Sequence, residues 1–155
     1  MPQRNGPAPG LVPELICRNL EISRRFYVDV IGFRVLYERP EDRFVYLERE
    51  GVELMLDQLS PASWLTAETS VPFGRGLNLQ ITVSDVDALH ARVEAAGIAL
   101  FRPMEEAWYR ADSYHLGNRQ FLVQDPDGYL LRFFQDLGRR DGLPRDYKRG
   151  PMPVA

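Results

Sequence analysis

The sequence predicts an α+β fold made of two βαβββ modules, and two observations lead to this prediction. Residues 11–57 and 77–137 show the same order of signals, namely a short strand, a capped helix and three further strands. Asn19, the predicted N-cap of the first helix, and Asp85, at the predicted start of the second, lie 66 residues apart, which indicates an internal repeat. Each module would bury the open apolar face of its sheet against the other module or against a second chain.

The first module begins with a strand at 14–18. Its helix runs from the cap at Asn19 to Gly32. The spacing of four predicts an apolar face formed by Ile22, Phe26 and Val30, with Tyr27 and Ile31 beside it. Alternation of apolar and polar residues then predicts three strands, at 34–39, 44–49 and 52–58.

The second module begins with a strand at 78–83, followed by a helix that starts at Ser84-Asp85, with Asp87 as a capping-box-like partner of Ser84, and ends at Gly97. The apolar stripe of this helix consists of Val86, Leu89, Val93 and Ala96. The three remaining strands are predicted at 98–102, 119–124 and 129–135. Gly51 and Gly128 mark corresponding turns 77 rather than 66 residues apart, so this module has about eleven additional residues, which we place in an insertion at 104–118.

The remaining segments are rich in proline and glycine. We predict flexible tails at 1–10 and 138–155, and a linker at 58–76 between the modules. The net charge of −3 and the lack of a basic cluster argue against nucleic-acid binding, and no apolar run is long enough to span a membrane. The single cysteine, Cys17, and an N-terminus without an apolar signal segment favour a cytoplasmic protein.

Two stretches give the modules a family resemblance: FYVDVIGF, which closes the first helix, and DPDGYLLRF at 125–133. With the paired modules, they resemble the vicinal oxygen chelate superfamily of glyoxalases, bleomycin resistance proteins and dioxygenases, in particular its bleomycin resistance branch. The resemblance implies cup-shaped mixed sheets with a ligand on the concave side. It also implies a homodimer with exchanged N-terminal strands that sequesters a cationic glycopeptide without chemistry.

Metal-using members of this superfamily take their ligands from the first and last strands of each module. In this sequence the corresponding positions are occupied by Val12, Met55, Asn78 and Arg132. Divalent catalytic metals require imidazole nitrogen or carboxylate oxygen, which none of these residues supplies. We therefore predict no metal, no cofactor and no catalytic residue.

The last strand is preceded by two aspartates and contains one arginine. Asp125 and Asp127 are interpreted as turn-forming residues, because short carboxylates accept backbone N–H bonds at such corners. Arg132 has two interpretations that the sequence does not separate. It either contacts a ligand on the concave face or forms a structural ion pair with Glu14, Glu53 or Asp57.

Aromatic, acidic and polar residues near the predicted cup are the candidate ligand contacts. Rings on loops over an acidic groove could stack on a planar heteroaromatic ligand and hold a cationic tail, although each ring could equally fill the core or an interface. The candidate ligand-binding residues are Phe44, Tyr46, Asp57, Trp64, Trp108, Tyr109, His115 and Arg132.

The function that these features favour is non-catalytic sequestration of a bulky, aromatic, cationic antibiotic of the bleomycin type. The alternative is a metal-dependent lyase, isomerase or dioxygenase of the same superfamily. A third hypothesis is an interaction or regulatory module whose concave face contacts another protein.

Overall fold

The computed structural model describes residues 6–144 and residue 147. These residues form two compact units, one comprising residues 6–76 and 125–129 and the other comprising residues 77–124, 130–144 and 147. The first unit contains the strands β1 (Glu14–Cys17), β2 (Arg34–Arg39), β3 (Phe44–Arg49) and β4 (Val52–Gln58). The second contains the strands β5 (Asn78–Thr82), β6 (Leu100–Ala111), β7 (Tyr114–Gln124) and β8 (Leu130–Asp141).

Each unit has one four-stranded mixed sheet. The strand order is β1-β4-β3-β2 in the first sheet and β5-β8-β7-β6 in the second. In both sheets the first strand of the module pairs in parallel with the last, and the remaining pairs are antiparallel. This arrangement confirms the prediction of an α+β fold with paired βαβββ modules. The exchange of N-terminal strands in a dimer stays a prediction, since the structure contains a single chain.

The first helix differs from the sequence prediction. It begins as α1 (Leu20–Arg24), capped by the Asn19 side chain, and continues as a π-helical segment (Arg25–Ile31). The wider π turns shift the buried stripe along the chain. Phe26, Tyr27 and Ile31 are buried, in agreement with the predicted apolar face and its neighbours, but Ile22 is 53% exposed, so its place on that face was wrong.

The second helix, α2 (Val86–Ala95), matches its predicted start. The Asp85 carboxylate accepts a hydrogen bond from the Ala88 N–H at 2.9 Å, so the N-cap is Asp85 rather than Ser84 of the predicted capping box. Val86, Leu89 and Val93 are buried against the second sheet, where the ring of His90 contacts Phe121 edge-on.

The predicted insertion at 104–118 is not a loop. These residues extend β6 and β7 into a long hairpin whose turn lies at Asp112 and Ser113, and the antiparallel register is continuous from Glu105 to Ala111. β8 lengthens with them and reaches Asp141, beyond the predicted start of the C-terminal tail at 138. Pairing between three strands satisfies the backbone groups that a loop would leave to solvent. The rest of the tail lies largely outside the described residues.

None of the helices formed by the described residues is both long and apolar enough to cross a bilayer. The cytoplasmic location and the lack of nucleic-acid binding stay predictions.

Cys17 is buried in β1, and this burial raises the pKa of its thiol to about 12. At pH 8 the thiolate fraction is then roughly a thousandfold smaller than that of an ordinary cysteine. We expect a thiol-labelling reagent such as 5,5′-dithiobis(2-nitrobenzoate) to leave native Cys17 unmodified and to react fully in urea. Rapid labelling of the folded protein would contradict this assignment.

Candidate ligand groove and second-sheet face

The DPDG sequence at 125–128 forms a tight turn that is buried against the first helix. Asp125 accepts two backbone N–H bonds within the turn, both at 2.9 Å, and a hydrogen bond from the Tyr27 hydroxyl at 2.9 Å. Asp127 accepts hydrogen bonds from Arg18 Nε at 2.8 Å and from the Ser23 hydroxyl at 3.1 Å. All four carboxylate oxygens are thus engaged within the protein, which confirms that the aspartates form the turn.

A groove of about 800 Å³ lies on the open face of the first sheet, and we call it the first-unit groove. Its walls come from two rows of side chains that the strand register places across the sheet. The first row consists of Tyr37, Tyr46, Met55 and Glu14, and the second consists of Arg39, Phe44, Asp57 and Ile16; all of them line the groove except Tyr46, which stacks on Tyr37.

On the strands that line this groove, the exposed ring belongs to Tyr37, which no sequence pattern singled out. Phe44 and Tyr46 are both buried, and the Arg39 guanidinium covers the Phe44 ring at 3.7 Å. Tyr37 stacks on Tyr46 at a centroid distance of 4.9 Å and remains 43% exposed. Phe44 therefore lies at the base of the groove, Tyr46 supports Tyr37, and Tyr37 presents the ring that can stack on a ligand.

Acidic groups outnumber basic groups along the first-unit groove. Four carboxylates and two guanidinium groups line it. The acidic residues are Glu14, Glu41, Asp42 and Asp57, and the basic ones are Arg39 and Arg43. Arg39 is already paired with Asp42, at 2.9 Å. Burial raises the pKa of Asp57, and the charge of Asp42 adds to the increase while Arg39 opposes it. The groove therefore suits a cationic ligand.

Trp64 stands at the rim of the first-unit groove and is 96% exposed. Two hydrogen bonds between Ser60 and Ser63 close the preceding loop. The Ser63 N–H donates to the Ser60 carbonyl oxygen at 3.1 Å, and the Ser60 N–H donates to the Ser63 hydroxyl oxygen at 3.0 Å. Leu59 anchors the start of this loop through its N–H bond to the Cys17 carbonyl oxygen at 2.8 Å. A tryptophan held in this way offers a large apolar surface that nothing in the described chain covers.

Two other predicted contacts, Tyr109 and Arg132, share the open face of the second sheet. The Arg132 guanidinium lies 5.5 Å from the centre of the Tyr109 ring. Between them in the sheet, Gln120 donates from its amide nitrogen to the Tyr109 hydroxyl at 2.6 Å and to Glu105 at 2.9 Å. We call this surface the second-sheet face.

Trp108 and His115 point to the opposite side of the second sheet, because side chains alternate along β6 and β7. Both are buried: Arg140 lies over the Trp108 ring at 4.0 Å, and Tyr147 contacts the His115 ring edge-on. The expectation that these two residues lie on a loop at the rim of a groove was therefore wrong. Their burial follows from the hairpin that replaces the expected loop.

The positions that hold a metal in other superfamily members do not fit one in this protein. Met55 and Val12 pack against an apolar cluster that includes Phe44 and Tyr46, and Arg132 carries a positive charge. Among the described residues, no group of three His, Cys, Asp or Glu side chains is placed to hold a metal ion. The thioether, alkyl and guanidinium groups present lack the donors that a divalent catalytic metal needs.

Comparison with known proteins supports the family assignment. The sequence model of the Glyoxalase/Bleomycin resistance protein/Dioxygenase superfamily matches residues 12–133. The chain is 26% identical to a bleomycin resistance protein of Geobacillus stearothermophilus over 137 residues, which cover 81% of this chain and 96% of that protein. It is 33% identical to a catechol-2,3-dioxygenase of Bacillus subtilis over 129 residues, which cover 81% of this chain but 41% of the dioxygenase.

Solved structures show the same fold. TioX from Micromonospora sp. ML1 is 26% identical and aligns with a TM-score of 0.63 over 83% of this chain and all of that one. A lactoylglutathione lyase from Agrobacterium tumefaciens is 21% identical and aligns with a TM-score of 0.57 over 84% of this chain and 96% of that one, which shows the fold alone. The repeat, the sheet topology and the sequence match agree, and the chain therefore belongs to the glyoxalase/bleomycin resistance protein/dioxygenase superfamily.

Proposed function

We propose that this protein binds and sequesters a bulky, aromatic, cationic small molecule of the bleomycin type without changing it chemically. The observation that carries the proposal is the 96% exposed indole of Trp64 at the rim of an acidic groove. A planar cation can stack between exposed rings while carboxylates hold its charge. The similarity to a bleomycin resistance protein supports this choice of ligand.

The aromatic part of the ligand would contact Tyr37 and Trp64. Tyr37 is fixed by stacking on Tyr46, so a ligand ring would bind to a preorganised surface at little entropic cost. Trp64 contributes the larger apolar area, and contact with a ligand would remove this area from water.

The non-catalytic part of the proposal rests on the chemistry of the side chains. The metal positions carry Val12, Met55, Asn78 and Arg132, and the four oxygens of Asp125 and Asp127 are all used by the turn. A metal-dependent lyase, isomerase or dioxygenase remains the alternative, and the identity to the catechol-2,3-dioxygenase is the observation that favours it.

Calorimetric titration with metal-free and copper-loaded bleomycin tests the proposal, and tryptophan fluorescence locates the contact. Trp108 is 7% exposed, so a change of emission on binding should come from Trp64 and disappear in a W64F variant. We expect W64A to weaken binding about tenfold, the value of a good aromatic contact.

If neither form of bleomycin produces heat or a change in fluorescence, the choice of ligand is overturned. Recovery of intact bleomycin after incubation, measured by mass spectrometry, is expected for sequestration. Stoichiometric Zn, Ni, Mn or Fe in the purified protein would favour the enzymatic alternative.

Binding of a cationic ligand should weaken as the pH falls through the pKa of Asp57. The cation favours the ionised carboxylate, and protonation removes that attraction. Because burial raises the pKa of Asp57, the loss should begin at a higher pH than for an ordinary aspartate. Calorimetry between pH 4 and 7 should show this dependence in the wild type and not in D57N, which keeps the shape of the side chain. An equal pH dependence in D57N would assign the titration to another group.

We also propose a homodimer. Pro13 directly precedes β1 and favours an extended path of the arm before it, as an exchanged segment would need. Light scattering coupled to size exclusion should give twice the mass of 17.8 kDa. A mass of one chain across micromolar concentrations would exclude the exchange.

A further inference from the structure

The long hairpin of the second unit leaves one edge of its sheet without a partner strand. Within the described residues, β6 is the outermost strand in the order β5-β8-β7-β6, and it is 12 residues long. The helix α2 packs over β7 and β8, the two central strands. An uncovered strand edge of this length can pair with a strand of another chain.

The register of the hairpin shows which backbone groups point out of this edge. Its turn has two residues, and Asp112 there has a φ of +58°, as in the type II′ turns that close such hairpins. The pair that flanks the turn therefore exchanges hydrogen bonds, and every second residue of β6 before Ala111 does the same with β7. The residues between them, Glu106, Trp108 and Arg110, direct their N–H and C=O groups to the free edge, where the described chain offers no backbone partner.

The chain does not block this edge in the usual ways. Proline removes a donor and lysine adds a mobile charge, and both are common on strand edges that stay unpaired. Residues 104–111 contain neither, and no bulge interrupts their pairing with β7 from Glu105 onwards. The indole of Trp108 lies over β7, because a Cβ on Gly117 would lie 2.5 Å from its Cη2, and the Arg140 guanidinium covers the same ring. The ring therefore leaves the free edge open.

The charges along this edge indicate a second copy of the same strand as the partner. If two copies of β6 pair antiparallel about a two-fold axis at Trp108, Glu106 of each copy lies opposite Arg110 of the other. Both side chains are exposed and lie on the same side of the sheet. An axis at Ala107 would leave both charges without an opposite, and an axis at Glu106 would place two like charges face to face. The register at Trp108 is therefore the favourable one.

The contacts of Glu106 and Arg110 within their own chain are long and leave both groups accessible. Glu106 lies 3.7 Å from Arg119, which Asp87 holds more closely, at 2.6 Å. Arg110 Nη1 donates to the backbone carbonyl oxygen of Asp112 at 3.3 Å. An exposed ion pair contributes little by itself, so the charges would fix the register while the backbone hydrogen bonds provide the affinity.

We propose that two copies of this chain pair along β6 about a two-fold axis at Trp108 and form one continuous sheet. Backbone hydrogen bonds join Glu106 of each copy to Arg110 of the other, and Trp108 to Trp108. This contact uses no residue of the first-unit groove or of the arm before Pro13, so it depends neither on the proposed ligand nor on the proposed arm exchange. Where arms are exchanged as well, edge pairing joins such dimers to one another.

Charge reversal at the two ends of the pairing tests the partner and the register together. E106R places two positive charges opposite each other at both ends, and R110E places two negative ones there. We expect each variant alone to associate about tenfold more weakly than the wild type. An equimolar mixture of the two variants has opposite charges at both ends again and should regain the wild-type affinity. Sedimentation velocity over a range of concentrations measures the association.

D87R is the matched control for these variants. It makes the same change of charge as E106R and also lies beside Arg119, but it is on α2 and not on the free edge. It should associate as the wild type does.

Paired cysteines report the register without altering the two charges. In the proposed pairing Glu105 lies opposite Ala111 of the other copy, with Cα atoms about 4.5 Å apart, within reach of a disulfide. A mixture of E105C and A111C should form this disulfide under mild oxidation. Each variant alone should not, because its two introduced cysteines would be about 20 Å apart along the edge. Cys17 is buried and should stay reduced, and mass spectrometry of the peptides identifies the link.

The proposal is overturned if the wild type, E106R and R110E associate equally, or if the mixture of E106R and R110E associates no better than each variant alone. It is also overturned if E105C and A111C form no disulfide, or if E105C is linked instead to Y109C, which would place the axis at Ala107. These results concern the edge itself, so an exchanged arm or a failure to bind bleomycin does not change their meaning.

Discussion

Replacement of Asp127 by alanine should lower the free energy of unfolding by about 3 kcal/mol. Its buried carboxylate accepts hydrogen bonds from the Arg18 backbone N–H at 3.1 Å, from Arg18 Nε at 2.8 Å and from the Ser23 hydroxyl at 3.1 Å. Ser23 is fully buried, so its hydroxyl would lose its acceptor without gaining water. Arg18 is partly exposed and can turn to solvent, which limits the cost. Urea unfolding at pH 7 would measure the change.

Asp87 provides the control for D127A, because its carboxylate is also paired with an arginine but lies at the protein surface. It accepts hydrogen bonds from Arg119 Nε and Nη2, the shortest at 2.6 Å, but both side chains are in contact with water. We expect D87A to change stability little, since water replaces an exposed ion pair. If D87A lowered the free energy of unfolding as much as D127A does, burial would not determine how much these ion pairs contribute to stability.

The G128A variant should lose about 3 kcal/mol or more of stability, for two separate reasons. Gly128 has a φ of +100°, in the region that side chains rarely adopt. A Cβ at this position would also lie 2.4 Å from Pro72 Cβ and 2.6 Å from Pro72 Cα. Relief would have to move the Pro72–Phe73 backbone, which is held to the turn by the Phe73 N–H bond to the Asp127 carbonyl at 2.8 Å.

The G97A variant separates the two contributions in G128A. Gly97 has a φ of +71°, but a Cβ there would meet no atom within 4 Å. Its loss should be about 1 kcal/mol, the cost of the backbone conformation alone. Thermal and urea unfolding of both variants would give the difference between their losses of stability. Equal losses would show that the contact with Pro72 adds no destabilisation in G128A.

Local sequence signals were sufficient for most of the fold. Strands β2, β3 and β4 have the predicted bounds because apolar and polar residues alternate cleanly within them. Asn19 caps its helix as expected, because capping depends only on the cap and the N–H groups two or three residues later. The second helix starts where it was predicted, although its cap is Asp85 rather than Ser84. The DPDG turn was predicted for the same reason, since it closes through its own backbone.

Features that depend on pairing between distant segments were not predicted. The insertion forms a hairpin because β7 pairs with β6 on one side and with β8 on the other. Trp108 and His115 are buried on this extended sheet. The alternation within RVLYER would have indicated that Tyr37 and Arg39 share a face. Only the register with β3 shows that Arg39 covers Phe44, whereas Tyr37 on the same strand keeps an exposed ring.

The sequence by itself determined the two βαβββ modules, their caps, the turn at Asp125 and Asp127, and the superfamily, because each depends on residues close together in the chain. The tertiary structure alone decided which candidate residues share a surface. It placed Asp57 and Trp64 on the first-unit groove, and it placed Tyr109 with Arg132 on the second-sheet face. The physical reason is that burial and charge pairing arise between residues far apart in sequence, where no local pattern records which partner each side chain meets.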